Sequence, residues 1–223
     1  VATLLGAARA RAETAQAAPT VTVASKKFTE SVILGEIARQ LAAQAGADAQ
    51  HRAELGGTRV LWNALRSGDI DIYPDYTGTL IVEILADDAI GSLDDLRAAL
   101  VERGVGMTDP LGFNNTYALG MLAERAKELG IARISDLRTH PELVLGFSNE
   151  FMDRRDGWPG LRAAYGLTNV NARGLDHDVA YEALATGSVD AIDLYATDAK
   201  IRKYDLTVLD DDRGYFPRYD AVI

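Results

Sequence analysis

The stretch Pro74-Asp75-Tyr76-Thr77-Gly78-Thr79 places an aromatic ring, two threonine hydroxyls and a flexible glycine at what reads as the end of a strand. Rings and hydroxyls in such a place hold a small molecule rather than transform it, and open α/β sheets bind ligands at the carboxyl ends of their strands. Catalysis needs a nucleophile with a base, or a metal constellation. The chain has no cysteine, and its three histidines, His51, His140 and His177, stand outside every motif. Asp176-His177-Asp178 is a helix-capping sequence, because adjacent residues rarely converge on one ion. Binding without enzyme chemistry, cofactor or metal is therefore expected.

Two elements must position that strand end. Val60, Leu61, Ala64 and Leu65 recur at helical spacing, with Thr58 placed to cap the helix and Gly68 to end it. Asp69–Tyr73 then alternates polar and apolar as a strand does, and Pro74 is expected to stop it. The arrangement recurs at Ala183-Leu184, Gly187, Val189-Asp190 and Tyr195, so both copies read Ala-Leu-x-x-Gly-x-(Ile/Val)-Asp-x4-Tyr. A weaker echo precedes each, Val21–Phe28 and Leu143–Phe151, both strand-like and ending in Ser-x-x-Phe. Two lobes of one design follow, each offering a strand-end tyrosine.

The remaining elements fit an α/β chain. Val21–Ala24 is a strand and Ser31–Ala45 an amphipathic helix with Ile33, Leu34, Ile37 and Leu41 on one face. Leu80–Leu85 and Leu93–Arg103 read as helices, the second capped by Ser92, and Val105–Thr108 as a short strand. In the second lobe, a strand ending near Leu119 leads to a helix over Met121–Leu129. Leu143–Phe147 is a buried strand, Asn149–Trp158 a polar loop with two arginines, Asp178–Thr186 a helix and Val189–Leu194 a strand. The expected division is a signal-peptide remnant or linker over 1–20, a first lobe over 21–108, a second over 109–205, and from 206 to 223 the start of a return to the first.

The 223 residues suffice for two lobes of about 100 residues each. With 48% hydrophobic and 25% charged residues the balance is that of an ordinary globular chain. A net charge of −10 opposes a nucleic-acid role, since phosphate binding needs a basic footprint. The apolar start, Val1–Ala8, resembles the tail of a signal peptide and is too short to span a bilayer.

Taken together, Ala24-Ser25-Lys26-x-Phe28-Thr29-Glu30, Leu34-Gly35-Glu36-Ile37, Leu55-Gly56-Gly57-Thr58, Asp71-x-Tyr73-x-Asp75-Tyr76-Thr77-Gly78-Thr79, Thr197-Asp198 and Pro217-x-Tyr219-Asp220-Ala221 resemble the substrate-binding proteins of osmoprotectant ABC transporters, which take glycine betaine, carnitine and choline. The resemblance runs from Val21 to Ile223. It implies a two-lobed periplasmic binding protein of type II, with a cleft between the lobes, that delivers a quaternary ammonium ligand to permease subunits. It also implies a cage of Tyr76, Tyr117, Tyr195 and Tyr219, with Lys26, Thr79 and Arg154 facing a betaine carboxylate. The physics suits that ligand: a quaternary ammonium has no N–H to donate, and ring faces attract it through their quadrupole. Ergothioneine, another trimethylammonium compound, and a binding domain fused to its permease are the alternatives. Ala24 and Asp75 depart from the family's usual glycine and glutamate. Against the family pattern the chain stops before a returning segment, which predicts an exposed apolar patch on the first lobe.

Overall fold

The structure is a computed structural model that describes residues 17–86, 89–168 and 170–223. The expected leader lies almost wholly outside them. The first lobe begins with strand β1 (Thr20–Lys26), helix α1 (Thr29–Gln44) and strand β2 (Asp48–Gly56), and β1 pairs parallel with β2. Helix α1 meets this pair through the small buried residues Ser31 and Gly35. Its apolar stripe faces outward instead: Ile33, Ile37 and Leu41 are 54%, 49% and 59% exposed.

Helix α2 (Thr58–Ser67) ends at Gly68, whose φ of 79° is the left-handed cap that glycine adopts without strain. Its amino-terminal cap is Gly57 rather than Thr58, which is the first helical residue. The strand expected over 69–73 is reduced to one bridge between Ile72 and Val23, with Ala24 N–H donating to Ile72 O at 2.8 Å. Pro74 does not end the pairing. Beyond it the chain pairs again as β3 (Asp75–Tyr76), antiparallel to β9 (Ala221–Val222), because the partner has changed. Helix α3 (Thr77–Thr79) then widens into a π-helical turn over Leu80–Ile84, where an α-helix was expected; such turns gather at functional sites. Ser92 caps α4 (Leu93–Val101) as read, its Oγ accepting from Asp95 N at 3.1 Å. Residues 105–108 form no strand; Val105 and Met107 pack on the buried Leu96 and Leu100.

The chain passes between the lobes as a two-stranded ribbon. Leu111 N donates to Ala221 O, Ala221 N to Phe113 O and Asn115 N to Tyr219 O, at 2.8, 3.1 and 2.9 Å.

The second lobe is a five-stranded sheet in the order β6 (Asn171–Leu175), β5 (Val144–Ser148), β7 (Ala191–Tyr195), β4 (Tyr117–Leu122), β8 (Leu206–Val208). β5 runs parallel to β6 and β7, while β4 is antiparallel to β7 and β8. Met121, expected in a helix, is a buried residue of β4, and the helix α5 starts two residues later (Ala123–Leu129). The expected polar loop over 149–158 instead opens as helix α6 (Asn149–Asp153), capped by Ser148 Oγ, which accepts from Phe151 N at 3.2 Å. Helices α7 (Trp158–Tyr165), α8 (His177–Ala185) and α9 (Lys200–Lys203) complete the lobe. A boundary at 205 cuts this sheet, because β8 is its edge strand; it is β9 that returns to the first lobe.

Candidate functional site

Sheet register brings the first two rings together. Tyr117 and Tyr195 stand opposite one another on β4 and β7, with ring centroids 5.1 Å apart. Tyr76 reaches the same place from β3, and Tyr219 from the ribbon, edge-on to Tyr117 at 5.6 Å. Tyr76, Tyr117 and Tyr219 are buried and Tyr195 is half-buried. A fifth ring, Phe28, lies 4.7 Å from Tyr195 and 6.2 Å from Tyr76. Its signal in the sequence was the Ser-x-x-Phe echo; the matching Phe151 packs behind Tyr117 at 5.1 Å.

The polar end of the site centres on Thr58, which cap reasoning had assigned elsewhere. Its hydroxyl accepts from Lys26 Nζ at 3.0 Å and Arg154 Nη1 at 3.2 Å, and donates to Glu150 Oε1 at 2.6 Å. Lys26 Nζ lies 2.6 Å from Asp75 Oδ1, both buried. Arg154 is held along one edge by Asp156, through Nε and Nη2, while Nη2 also donates to Thr79 Oγ1 at 3.3 Å. Burial raises the pKa of Glu150, but the charges of Lys26 and Arg154 and the bonds from Thr58 outweigh it and hold the carboxyl below its ordinary value.

All seven residues singled out in the sequence line one cavity between the lobes, together with Phe28, Asn115 and Glu150. The free space there is about 10 Å³, room for about one water molecule. That space is too small for a group the size of a trimethylammonium. The protein's own cations lean on the rings in this closed arrangement: Arg154 lies 5.3 Å from the Tyr117 centroid and Lys26 5.9 Å from that of Tyr76. A larger groove of about 690 Å³ lies in the first lobe, between Trp62, Tyr73, Leu100 and Val222, and touches the site only through Asp75.

Close packing fixes Tyr219. A Cβ built on Gly78 would stand 2.7 Å from Arg218 O and from the Tyr219 ring. Gly78→Ala is expected to cost about 1–3 kcal/mol, as overpacking does, measured by urea unfolding. An unchanged midpoint would mean that this contact does not hold the ring.

The model of the substrate-binding domain of ABC-type glycine betaine transport systems matches residues 19–223. The chain belongs to that family. A glycine-betaine-binding protein of Pseudomonas aeruginosa is 35% identical over 92% of this chain and 70% of its own length. The ergothioneine transport permease/ergothioneine binding protein EgtU of Helicobacter pylori is 34% identical over 90% of this chain. The chain spans only 37% of that protein's length. Among solved structures, a glycine betaine/carnitine/choline ABC transporter protein is 29% identical with a TM-score of 0.66, covering 91% of this chain and 79% of that one. Lactococcal OpuAC, closed on glycine betaine, shares the fold at 13% identity and a TM-score of 0.65, over 92% of this chain and 77% of that one. The type II binding-protein fold is therefore that of this member of the family. Among the described residues no helix is long and apolar enough to cross a membrane.

Proposed function

We propose that the chain captures a quaternary ammonium osmoprotectant (glycine betaine, choline, carnitine or proline betaine) in the periplasm and hands it to the permease subunits of an ABC importer. The observation that carries this reading is the convergence of Tyr76, Tyr117, Tyr195 and Tyr219 on one interlobe cavity, with Lys26, Thr79 and Arg154 at its polar end. Ring faces bind the ammonium and its methyls, and charge-assisted hydrogen bonds take a carboxylate where the ligand has one. A ligand carboxylate would take over the Arg154 donors now spent on Thr58 and Thr79. Ergothioneine, in the name of the Helicobacter pylori relative, carries the same trimethylammonium group and is the second ligand reading. That name also joins binding protein to permease, which supports a fused arrangement as the alternative to a free carrier.

Calorimetry against glycine betaine, choline, carnitine, proline betaine and ergothioneine tests the reading, with at least one expected to bind. Binding of none would refute it. Arg154→Gln should weaken glycine betaine at least tenfold more than choline, which has no carboxylate to lose. Equal losses would remove Arg154 from ligand contact.

A further inference from the structure

Glu30 lies outside the cavity lining but holds two residues that form it. Its Oε1 accepts from the Tyr76 hydroxyl at 2.6 Å and from Asn115 Nδ2 at 2.9 Å, and its Oε2 accepts from Thr197 Oγ1 at 2.6 Å. Thr197 N in turn donates to Asn115 Oδ1 at 3.3 Å, closing the group. Glu30 and Tyr76 belong to the first lobe, Asn115 to the ribbon between the lobes and Thr197 to the second lobe, so one carboxylate ties both lobes and their connection together beside the cage.

The charge at this point differs from that at the polar end. There, Lys26 is matched by Asp75 and Arg154 by Asp156, and Glu150 adds a third carboxylate. Glu30 accepts from a phenol, an amide and an alcohol, all neutral, so none of these bonds cancels its charge. Burial and the Glu30 charge together push the Tyr76 hydroxyl far above its ordinary pKa, which keeps it a donor. A phenol that donates to a carboxylate gains electron density in its ring, and a richer ring face attracts a cation more strongly.

We propose that Glu30 is a positioning and specificity-determining residue, whose charge favours a cationic ligand through Tyr76 and whose bonds to Asn115 and Thr197 hold the lobes shut over it. This rests on the quaternary-ammonium reading above. It makes the cage selective for charge as well as for the shape of a trimethyl group. One unit charge acting over several ångströms in a half-buried site is worth on the order of tenfold in affinity.

The test uses choline and 3,3-dimethyl-1-butanol, its neutral carbon isostere, titrated directly and in competition, with circular dichroism melting to establish that each variant is folded. Glu30→Gln keeps the size and an acceptor for Tyr76 but removes the charge. It should weaken choline about tenfold and the isostere less than threefold. Glu30→Asp keeps the charge and shortens the reach, so both ligands should weaken by the same factor and the preference for choline should persist. The proposal is overturned if Glu30→Gln weakens choline less than threefold, if it weakens the isostere by the same factor, or if Glu30→Asp loses the preference. A parent chain that binds no quaternary ammonium compound would instead refute the ligand reading, and this proposal with it.

Discussion

Tyr195→Leu is expected to bind trimethylammonium ligands about thirtyfold more weakly than the parent, while Tyr195→Phe stays within a few-fold. Leucine keeps bulk against Phe28 and Tyr117 but has no ring face, and a desolvated cation–π contact is worth about 2 kcal/mol. At about 1.4 kcal/mol per tenfold, that difference gives the thirtyfold figure. Tyr195 suits the measurement because it is half-buried and ends its strand, whereas Tyr117 is embedded in the main hydrophobic cluster. Its rear face rests on His177, 4.9 Å away, so the ring has support that does not depend on the ligand. Calorimetry with melting curves separates affinity from stability. A folded Tyr195→Leu chain with the parent's affinity would end the cage assignment.

Asp156→Ala is expected to carry the largest stability cost. The carboxylate receives two nitrogens of Arg154 and the Tyr219 hydroxyl, the latter at 2.6 Å, and both Arg154 and Asp156 are about 95% buried (5% and 4% exposed). Removing it strands a guanidinium and a phenol away from water. Breaking one partner from a buried ion pair costs about 3–5 kcal/mol, a large share of the roughly 5–15 kcal/mol that holds a domain together. Denaturant unfolding reads this directly. Asp156→Asn, which keeps an acceptor but not the charge, should fall between. A loss under about 1 kcal/mol for the alanine variant would mean that water reaches Arg154 and that the pair is not sealed.

What the sequence disclosed of this site follows from how local each signal was. Tyr76 and Tyr195 were legible from the residues alone, because a helix, a glycine turn and a strand end lie within one short repeated pattern. Tyr117, Tyr219, Lys26 and Arg154 needed the family's motif positions, while Thr79 stood in the strand-end stretch and took only its role from the resemblance. Thr58 was misread, since a threonine before an apolar helical run has the spacing of a cap, and its actual partner, Glu150, lies 92 positions away. Helix α6 was missed because five residues hold too little periodicity to show, and only the Ser148 cap marks its start. Distance also hid Asp75, whose cation Lys26 lies 49 positions away, whereas Asp156 meets Arg154 only two positions before it and was within reach of local reading. The outward stripe on α1 marks a further limit of pattern reading. Spacing identifies an apolar face, but the sheet chose the small residues Ser31 and Gly35 instead.

The ribbon that carries the chain between the lobes has a mechanical consequence. Two strands fastened by hydrogen bonds at Leu111, Phe113 and Asn115 resist sliding and twisting, because either would shear several bonds at once, yet they bend across their width at little cost. Such a ribbon favours a single swing as the motion of one lobe against the other. Tyr219 sits on that axle, its backbone bonded to Asn115 and its hydroxyl to Asp156. Tyr76 also lies close to that axle, since it pairs with Ala221 of the ribbon strand, whereas Tyr195 stands on the sheet of the second lobe. In the proposed cage, Tyr76 and Tyr219 therefore stand nearest the axle, and Tyr195 is a ring that would move with its lobe.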